Sequence, residues 1–224
     1  MLDQLFIGNK GTLDDFDASL KERAISAPEK KTIKKSVPFS NATYDFSAIN
    51  GEVYWNEREL NYVFEIIADT PEEMERKKAA FSNFVMNVMN EKIYDPYEPG
   101  WHYVGTFDGI EFDDDESVEK TTVSVVFTAY PYKVANNLKV FRYSFAADKT
   151  LSATVINNSS HRVIPLINSN LPLTIQKGGA TYTLEAGETQ DEKFMLEPGA
   201  NVMTMSSTTS AGCVVIIEFY EEVF

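Results

Sequence analysis

Apolar side chains recur at every second position over long stretches of this chain, and a period of two predicts extended strands. The clearest case is 60–69, where Leu60, Tyr62, Phe64, Ile66 and Ala68 share one face while Asn61, Val63, Glu65 and Ile67 take the other. Residues 121–129 repeat the pattern, with Val123, Val125 and Phe127 alternating against Ser124, Val126 and Thr128. The segment 101–113 ahead of it is also extended, and Asp113-Asp114-Asp115-Glu116-Ser117 reads as the loop of a long hairpin joining the two. Residues 30–37 alternate as well, but lysines at 30, 31, 34 and 35 dominate them. That pattern admits a nucleic-acid patch or a sorting signal, and more simply a strand whose lysines guard an exposed sheet edge.

One segment changes period. Thr70-Pro71-Glu72-Glu73 places a capping threonine, a proline at the first helical position and a glutamate three residues after the cap. Met74, Phe81, Phe84, Val85 and Val88 then follow at helical spacing. The predicted helix runs from 71 to about 90 and stops before Tyr94-Asp95-Pro96. Its apolar stripe needs a sheet to rest on, so the first half is expected to be α+β.

Tyr130-Pro131-Tyr132-Lys133-Val134-Ala135-Asn136-Asn137 breaks the pattern, since proline cannot donate to a ladder and asparagines favour turns. We place a domain boundary there, giving 1–134 and 135–224. Beyond it, about seven short strands are expected at the spacing of a sandwich or jelly roll. They cover 138–145, 151–157, 163–168, 171–176, 181–184, 194–196 and 213–220, the last apolar on both faces. Lys177-Gly178-Gly179-Ala180 supplies a tight hairpin, and Glu197-Pro198-Gly199-Ala200-Asn201 a further turn. The fold class is therefore mainly β: an α+β first domain with one helix, then a β-sandwich.

Composition narrows the possible functions. The 224 residues carry 34 acids against 20 Lys and Arg, a formal charge of −14, which argues against nonspecific nucleic-acid binding, and no specific nucleic acid is expected as a partner. A hydrophobic fraction of 43% is too high for a disordered chain. No run approaches the ~20 apolar residues of a membrane helix, so no membrane partner is expected. The opening Met1-Leu2-Asp3-Gln4-Leu5 has no basic segment before an apolar one, and no secretory leader is expected.

Chemistry finds few residues to use. A single cysteine, Cys213, sits in an apolar strand and reads as packing. His102 lies between Trp101 and Tyr103, and His161 in a turn; neither has a partner at metal-ligand spacing. Asp14-Asp15-Phe16-Asp17 and Asp113–Glu116 offer hard oxygens but lack the layout of a calcium loop, so both read as solvated loops. Gly8-Asn9-Lys10-Gly11 and Gly178-Gly179 lack the strand–loop–helix context of a phosphate cradle. No catalytic, cofactor-binding or metal-ligating residue is assigned, and no enzyme activity is expected.

The order of features is more specific than any one motif. An extended N-terminal segment leads to Val53-Tyr54-Trp55-Asn56-Glu57-Arg58-Glu59-Leu60, then the Thr-Pro-Glu-Glu helix, a strand pair, and Val125-Val126-Phe127-Thr128-Ala129-Tyr130-Pro131-Tyr132-Lys133. The second half adds Val155-Ile156-Asn157-Asn158, Val163-Ile164-Pro165-Leu166-Ile167, the Gly178-Gly179 hairpin and Leu196-Glu197-Pro198-Gly199-Ala200-Asn201. This order resembles the distal tail proteins of long, non-contractile-tailed bacteriophages, including prophages of Gram-positive bacteria; Asn158-Ser159-Ser160 departs from it where many relatives carry glycine.

The resemblance implies a structural virion protein, a tail-tip or baseplate hub assembled in the host bacterial cytoplasm. It implies a ring, usually a homo-hexamer, built by a ring-forming (belt) first domain, with a galectin-like sandwich projecting from it. Implied partners are the tail tube protein, the tail-tip or tail-fibre protein and the receptor-binding protein. Lysines at 30–35 are candidates to face acids such as 113–116 across the ring contact. The alternative is a carbohydrate-binding accessory protein acting through the C-terminal sandwich, for which Tyr143, Tyr182 and Tyr220 are the candidate platform. A hydrolase using scattered acids is a third reading.

Overall fold

The computed structural model describes residues 3–36, 38–39, 41, 43–48, 51, 53–114, 119–146, 149–208 and 211–224. Two compact units are present: Met1–Lys133 together with Phe224, and Val134–Val223. Both are built mainly of antiparallel strands, as the two-residue period requires.

The first unit runs β1 (Phe6–Ile7), β2 (Lys10–Gly11), α1 (Thr12–Phe16), β3 (Ala18–Ile25), β4 (Lys34–Ser36), β5 (Thr43–Asp45), β6 (Arg58–Ile67), α2 (Pro71–Val85), β7 (Glu91–Tyr94), β8 (Trp101–Asp114) and β9 (Lys120–Ala129). Its main sheet has the order β2-β1-β7-β8-β9-β6-β3. The registers Tyr62↔Val125 and Phe64↔Val123 align the alternating faces of β6 and β9. Leu60, Tyr62, Phe64, Ile66, Val123, Val125 and Phe127 are all buried, and Met74, Phe81 and Val85 of α2 close over them. Phe81 meets Phe64 edge-on, with ring centroids 5.2 Å apart. β8 and β9 do pair as a hairpin, but β8 already includes Asp113 and Asp114, while Asp115, Glu116 and Ser117 lie outside the described residues.

Three local expectations are corrected. The helix starts where its cap predicts but ends at Val85, not near Asn90. Asn87 Nδ2 donates to the Asn83 carbonyl, and Asn90 takes a positive φ of 52°, so the chain reverses although Val88 still points into the core. Asp14 and Asp15 form the first turn of α1 instead of a loop, with Asp15 Oδ2 accepting the Gly11 N–H at 2.8 Å. Only Lys34–Ser36 of the lysine-rich segment is a strand, and it pairs with β5 in a separate ribbon, away from the main sheet. Val37 lies outside the described residues.

The second unit begins within β10 (Lys133–Ala135) and continues through β11 (Lys139–Phe145), β12 (Thr150–Asn157), β13 (Leu166–Ser169), β14 (Leu173–Lys177), β15 (Ala180–Leu184), β16 (Gly187–Thr189), β17 (Gly199–Ser206), β18 (Cys213–Phe219) and β19 (Glu222–Val223), the last pairing with β10. Two four-stranded sheets, β11-β18-β13-β16 and β12-β17-β14-β15, enclose one core. Val155, Ile175, Met203 and Met205 from one sheet meet Ile167, Val215 and Ile217 from the other, the arrangement of a sandwich.

The tight hairpin holds: Gly178 and Gly179 take φ of 57° and 83°, which side chains would oppose, and Lys177 pairs with Ala180. β16 and β17 were not expected. The turn read at 197–201 is shorter, because Asn201 Oδ1 accepts the Glu197 N–H and its Nδ2 donates to the Glu197 carbonyl, letting the strand start at Gly199. Phe194–Leu196 forms only a single bridge, Leu196 to Val163, which also removes Val163 from β13. β18 is central as expected, but only one of its faces is buried, since Val214 is exposed.

Candidate functional site

A dense cluster of charge among the described residues of the first unit gathers around the turn after β7. Asp95, itself almost fully buried, accepts from Arg23 Nη1 at 2.6 Å and from the Tyr62 hydroxyl at 3.2 Å. Glu98 receives the Tyr103 hydroxyl at 3.0 Å and pairs with Lys133 at 2.7 Å. Arg58 stacks over Tyr103 and donates Nε to the Ser26 carbonyl and Nη1 to the Pro131 carbonyl. Burial and the facing carboxylates push both tyrosine hydroxyls well above their ordinary range. Burial opposes charge on Glu98, yet Lys133 and the Tyr103 hydroxyl hold its carboxyl below the usual range. Every group thus has its counterpart, and the arrangement holds the Asp95–Gly100 turn against the sheet. Sequence reasoning did not find it, because its members lie on β3, β6, β8, β10 and the turn after β7 and share no local spacing.

The residues singled out by sequence do not converge. Cys213 is buried in β18, and burial pushes its thiol up. His102 is buried against Tyr94, with ring centroids 5.3 Å apart, and His161 Nε2 lies 3.2 Å from Glu222 Oε2. Asp114 is engaged inside its own chain by Lys78 at 2.8 Å and by the Thr121 hydroxyl at 2.7 Å. Among the described residues no three His, Cys, Asp or Glu side chains group as metal ligands would. Tyr143 and Tyr182 belong to different sheets and lean on the sandwich core, while Tyr220 follows β18 and is exposed. They form no common platform.

Open depressions lie among the described residues of both units. One of about 390 Å³ in the first unit includes Asn90, Thr106, Asp108 and Thr128, beside the β-bulge where Asp108 is left out of the β8–β9 ladder. Another of about 640 Å³ in the second unit is bordered by Thr183, Glu185, Gln190 and Asp191. Neither gathers a nucleophile with a base.

The most unusual surface is the excursion between β3 and β6. Its two limbs run antiparallel: Asn56 N–H donates to the Glu29 carbonyl, Lys31 N–H to Tyr54, and Phe46 N–H to Ile33, and β4 pairs with β5. Hydrogen bonds from Ser47 first, then the charges of Lys34 and Lys30, hold the Asp45 carboxyl below its usual range. Lys30, Lys31, Lys34 and Lys35 are all exposed, and so are Ile33, Tyr44, Phe46, Val53 and Tyr54; Phe39 is fully so. A two-stranded ribbon carrying this much bare apolar surface is marginal by itself and characteristic of a contact site.

No protein-family model matches the chain, and no curated protein sequence matches it either. Among solved structures, the P2 phage baseplate in its activated conformation with Ca matches at 8% identity over 97% of this chain and 98% of that one, but its TM-score of 0.41 carries no argument. The SPP1 Dit protein, described as a paradigm of the hub adsorption apparatus in phages infecting Gram-positive hosts, matches at TM-score 0.69 over 98% of this chain and 100% of its own. At 14% identity this is a likeness of fold, and from end to end the chain has the fold of SPP1 Dit.

Proposed function

We propose that the protein is a structural component of a phage tail tip, a hub that closes as a ring of six copies and joins the tail tube to the tail-tip and receptor-binding proteins. The observation that carries this reading is the whole-chain fold likeness to SPP1 Dit, which covers both units in one alignment. The exposed ribbon supports it. Head-to-tail closure needs two different complementary patches on each subunit, and a ribbon with bare aromatics and lysines is a natural donor patch for an acidic neighbour. The protein then acts by contact alone, within the virion, after assembly in the host cytoplasm. An excess of acids in a ring of such chains would keep passing DNA from sticking to its wall. Negative-stain imaging of the purified chain tests the proposal: six-fold rings with a central hole are expected, and particles of single-chain size at all concentrations, also with tail-tube protein added, would refute it.

A further inference from the structure

The main sheet of the first unit turns one face to α2 and leaves the other open. On β8, Val104 and Thr106 alternate with the buried Tyr103 and Gly105; at the end of β9, Thr128 and Tyr130 alternate with the buried Phe127 and Ala129. These four side chains therefore share the open face. Thr106 pairs with Thr128 across the ladder, and the Tyr130 N–H donates to the Val104 carbonyl. Two irregularities meet at this place. The bulge leaves Asp108 out of the ladder, and a bulge re-aims the side chain it carries. Asn90 takes a positive φ; its N–H donates to Thr106 Oγ1 at 3.1 Å and its Oδ1 faces the same hydroxyl at 3.4 Å, which leaves the amide nitrogen as a donor. Both residues border the depression of about 390 Å³, together with Thr106, Thr128, Tyr130 and Glu57. Tyr130 is exposed, and its ring is backed by the buried Tyr132, with centroids 5.5 Å apart.

We propose that this depression binds a neutral saccharide, with the Tyr130 ring as platform for one sugar face and Asn90, Thr106, Thr128 and Asp108 as partners for its hydroxyls. The chemistry of the lining favours this ligand. A sugar presents an apolar face of ring hydrogens and a rim of hydroxyls that both donate and accept. An aromatic face with its negative quadrupole suits the first, and amide, hydroxyl and carboxylate groups suit the second. A carboxylate accepts from a hydroxyl more strongly than a neutral group does. An acidic glycan is repelled, because Asp108 and Glu57 face it from a chain already at −14. A single cation is disfavoured too, since the two carboxylates stand apart. Arg58 pairs with Ala129, which sets Glu57 beside Tyr130 and Val104, whereas Asp108 lies four residues beyond Val104, about 13 Å along the strand. The volume falls within the ~300–1,000 Å³ typical of small-ligand sites. The site belongs to the first unit, apart from the tyrosines of the sandwich, and does not rest on the hub reading.

The test is calorimetric titration of the full chain with maltotetraose, cellotetraose and N-acetylchitotetraose, joined to saturation-transfer NMR, which reads the sugar protons that touch an aromatic ring. Binding of at least one of these probes is expected. Asp108→Ala and Tyr130→Ala should each weaken it by about tenfold or more, with an unchanged circular dichroism spectrum. Thr128→Val removes a hydroxyl while keeping the shape of the side chain, so it tests the site even if Tyr130→Ala disturbs the fold; it too should weaken binding. Galacturonate oligomers and spermine, as acidic and cationic controls, are expected not to compete. Failure of all three sugars to bind would overturn the proposal. So would binding that Asp108→Ala and Thr128→Val leave unchanged, binding lost in Tyr220→Ala instead, or spermine held more tightly than any sugar in an Asp108-dependent way. Six-fold rings without sugar binding would defeat this site alone, and sugar binding without rings the hub reading alone.

Discussion

Arg23 on β3 and Asp95 after β7 meet at 2.6 Å, although β8, β9 and β6 separate their strands in the sheet. The contact comes from the turn after β7, whose Asp95 also accepts from the Tyr62 hydroxyl on β6. Asp95 is buried while Arg23 is partly exposed, so removing either partner has unequal effects. Asp95→Ala is expected to lower stability by about 2–3 kcal/mol, below the full effect of breaking a buried pair because solvent screens Arg23. Arg23→Ala should cost less, and a double-mutant cycle in urea would show coupling between them. Equal, near-zero effects would mean the pair holds nothing.

In the second unit Asn157 has no exposure and uses its whole amide: Nδ2 donates to the His161 and Leu196 carbonyls, and Oδ1 accepts the Ser159 N–H. Asn157→Ala strands these groups, and a loss of about 2–3 kcal/mol is expected by chemical denaturation.

Thr70 Oγ1 accepts the Glu73 N–H at 3.2 Å at the start of α2, so Thr70→Ala should cost about 1 kcal/mol while Thr70→Ser costs much less. Thermal unfolding of the two variants side by side would separate the lost cap from any change in bulk.

Acid should destabilise the first unit in a defined direction. Lys120 first and Lys21 next hold the Glu65 carboxyl below its usual range; the Asp69 N–H, then Lys77, does so for Glu73; and Lys78, then Thr121, for Asp114. A carboxylate whose folded pKa is depressed contributes stability that is complete above the unfolded value and lost as pH falls through the folded one. The urea midpoint is therefore expected to hold near neutrality and fall below the ordinary carboxylate range. Glu65→Gln should make that fall shallower, and an unchanged acid limb would contradict the assignment.

The ribbon offers a prediction that separates assembly from folding. Phe39→Ser with Tyr44→Ser removes exposed side chains, so urea stability should change by less than about 0.5 kcal/mol while ring formation is lost. Rings that survive in the imaging experiment would place the subunit contact elsewhere.

Local rules served where one face of an element is buried. The alternation of β6 and β9 and the threonine-proline start of α2 are visible in the chain because each residue's environment repeats with the backbone period. They failed where a side chain, not a period, decides. Asn87 and Asn90 end α2 while Val88 continues its stripe, and Asn201 shortens a turn to admit β17. The Arg23–Asp95–Glu98 cluster could not be read at all, since Arg23 lies more than seventy positions from both carboxylates and meets them only in the folded chain. The ribbon was half legible: its lysines announced exposure, but nothing local said that its aromatic residues would be exposed too.

That bare ribbon has a consequence for handling the chain. Its uncovered aromatics favour indiscriminate clumping, and mutual repulsion among acidic chains is the counterweight. With an isoelectric point near 4.6, this repulsion vanishes in mildly acidic buffer, so turbidity should set in there before the fold itself gives way.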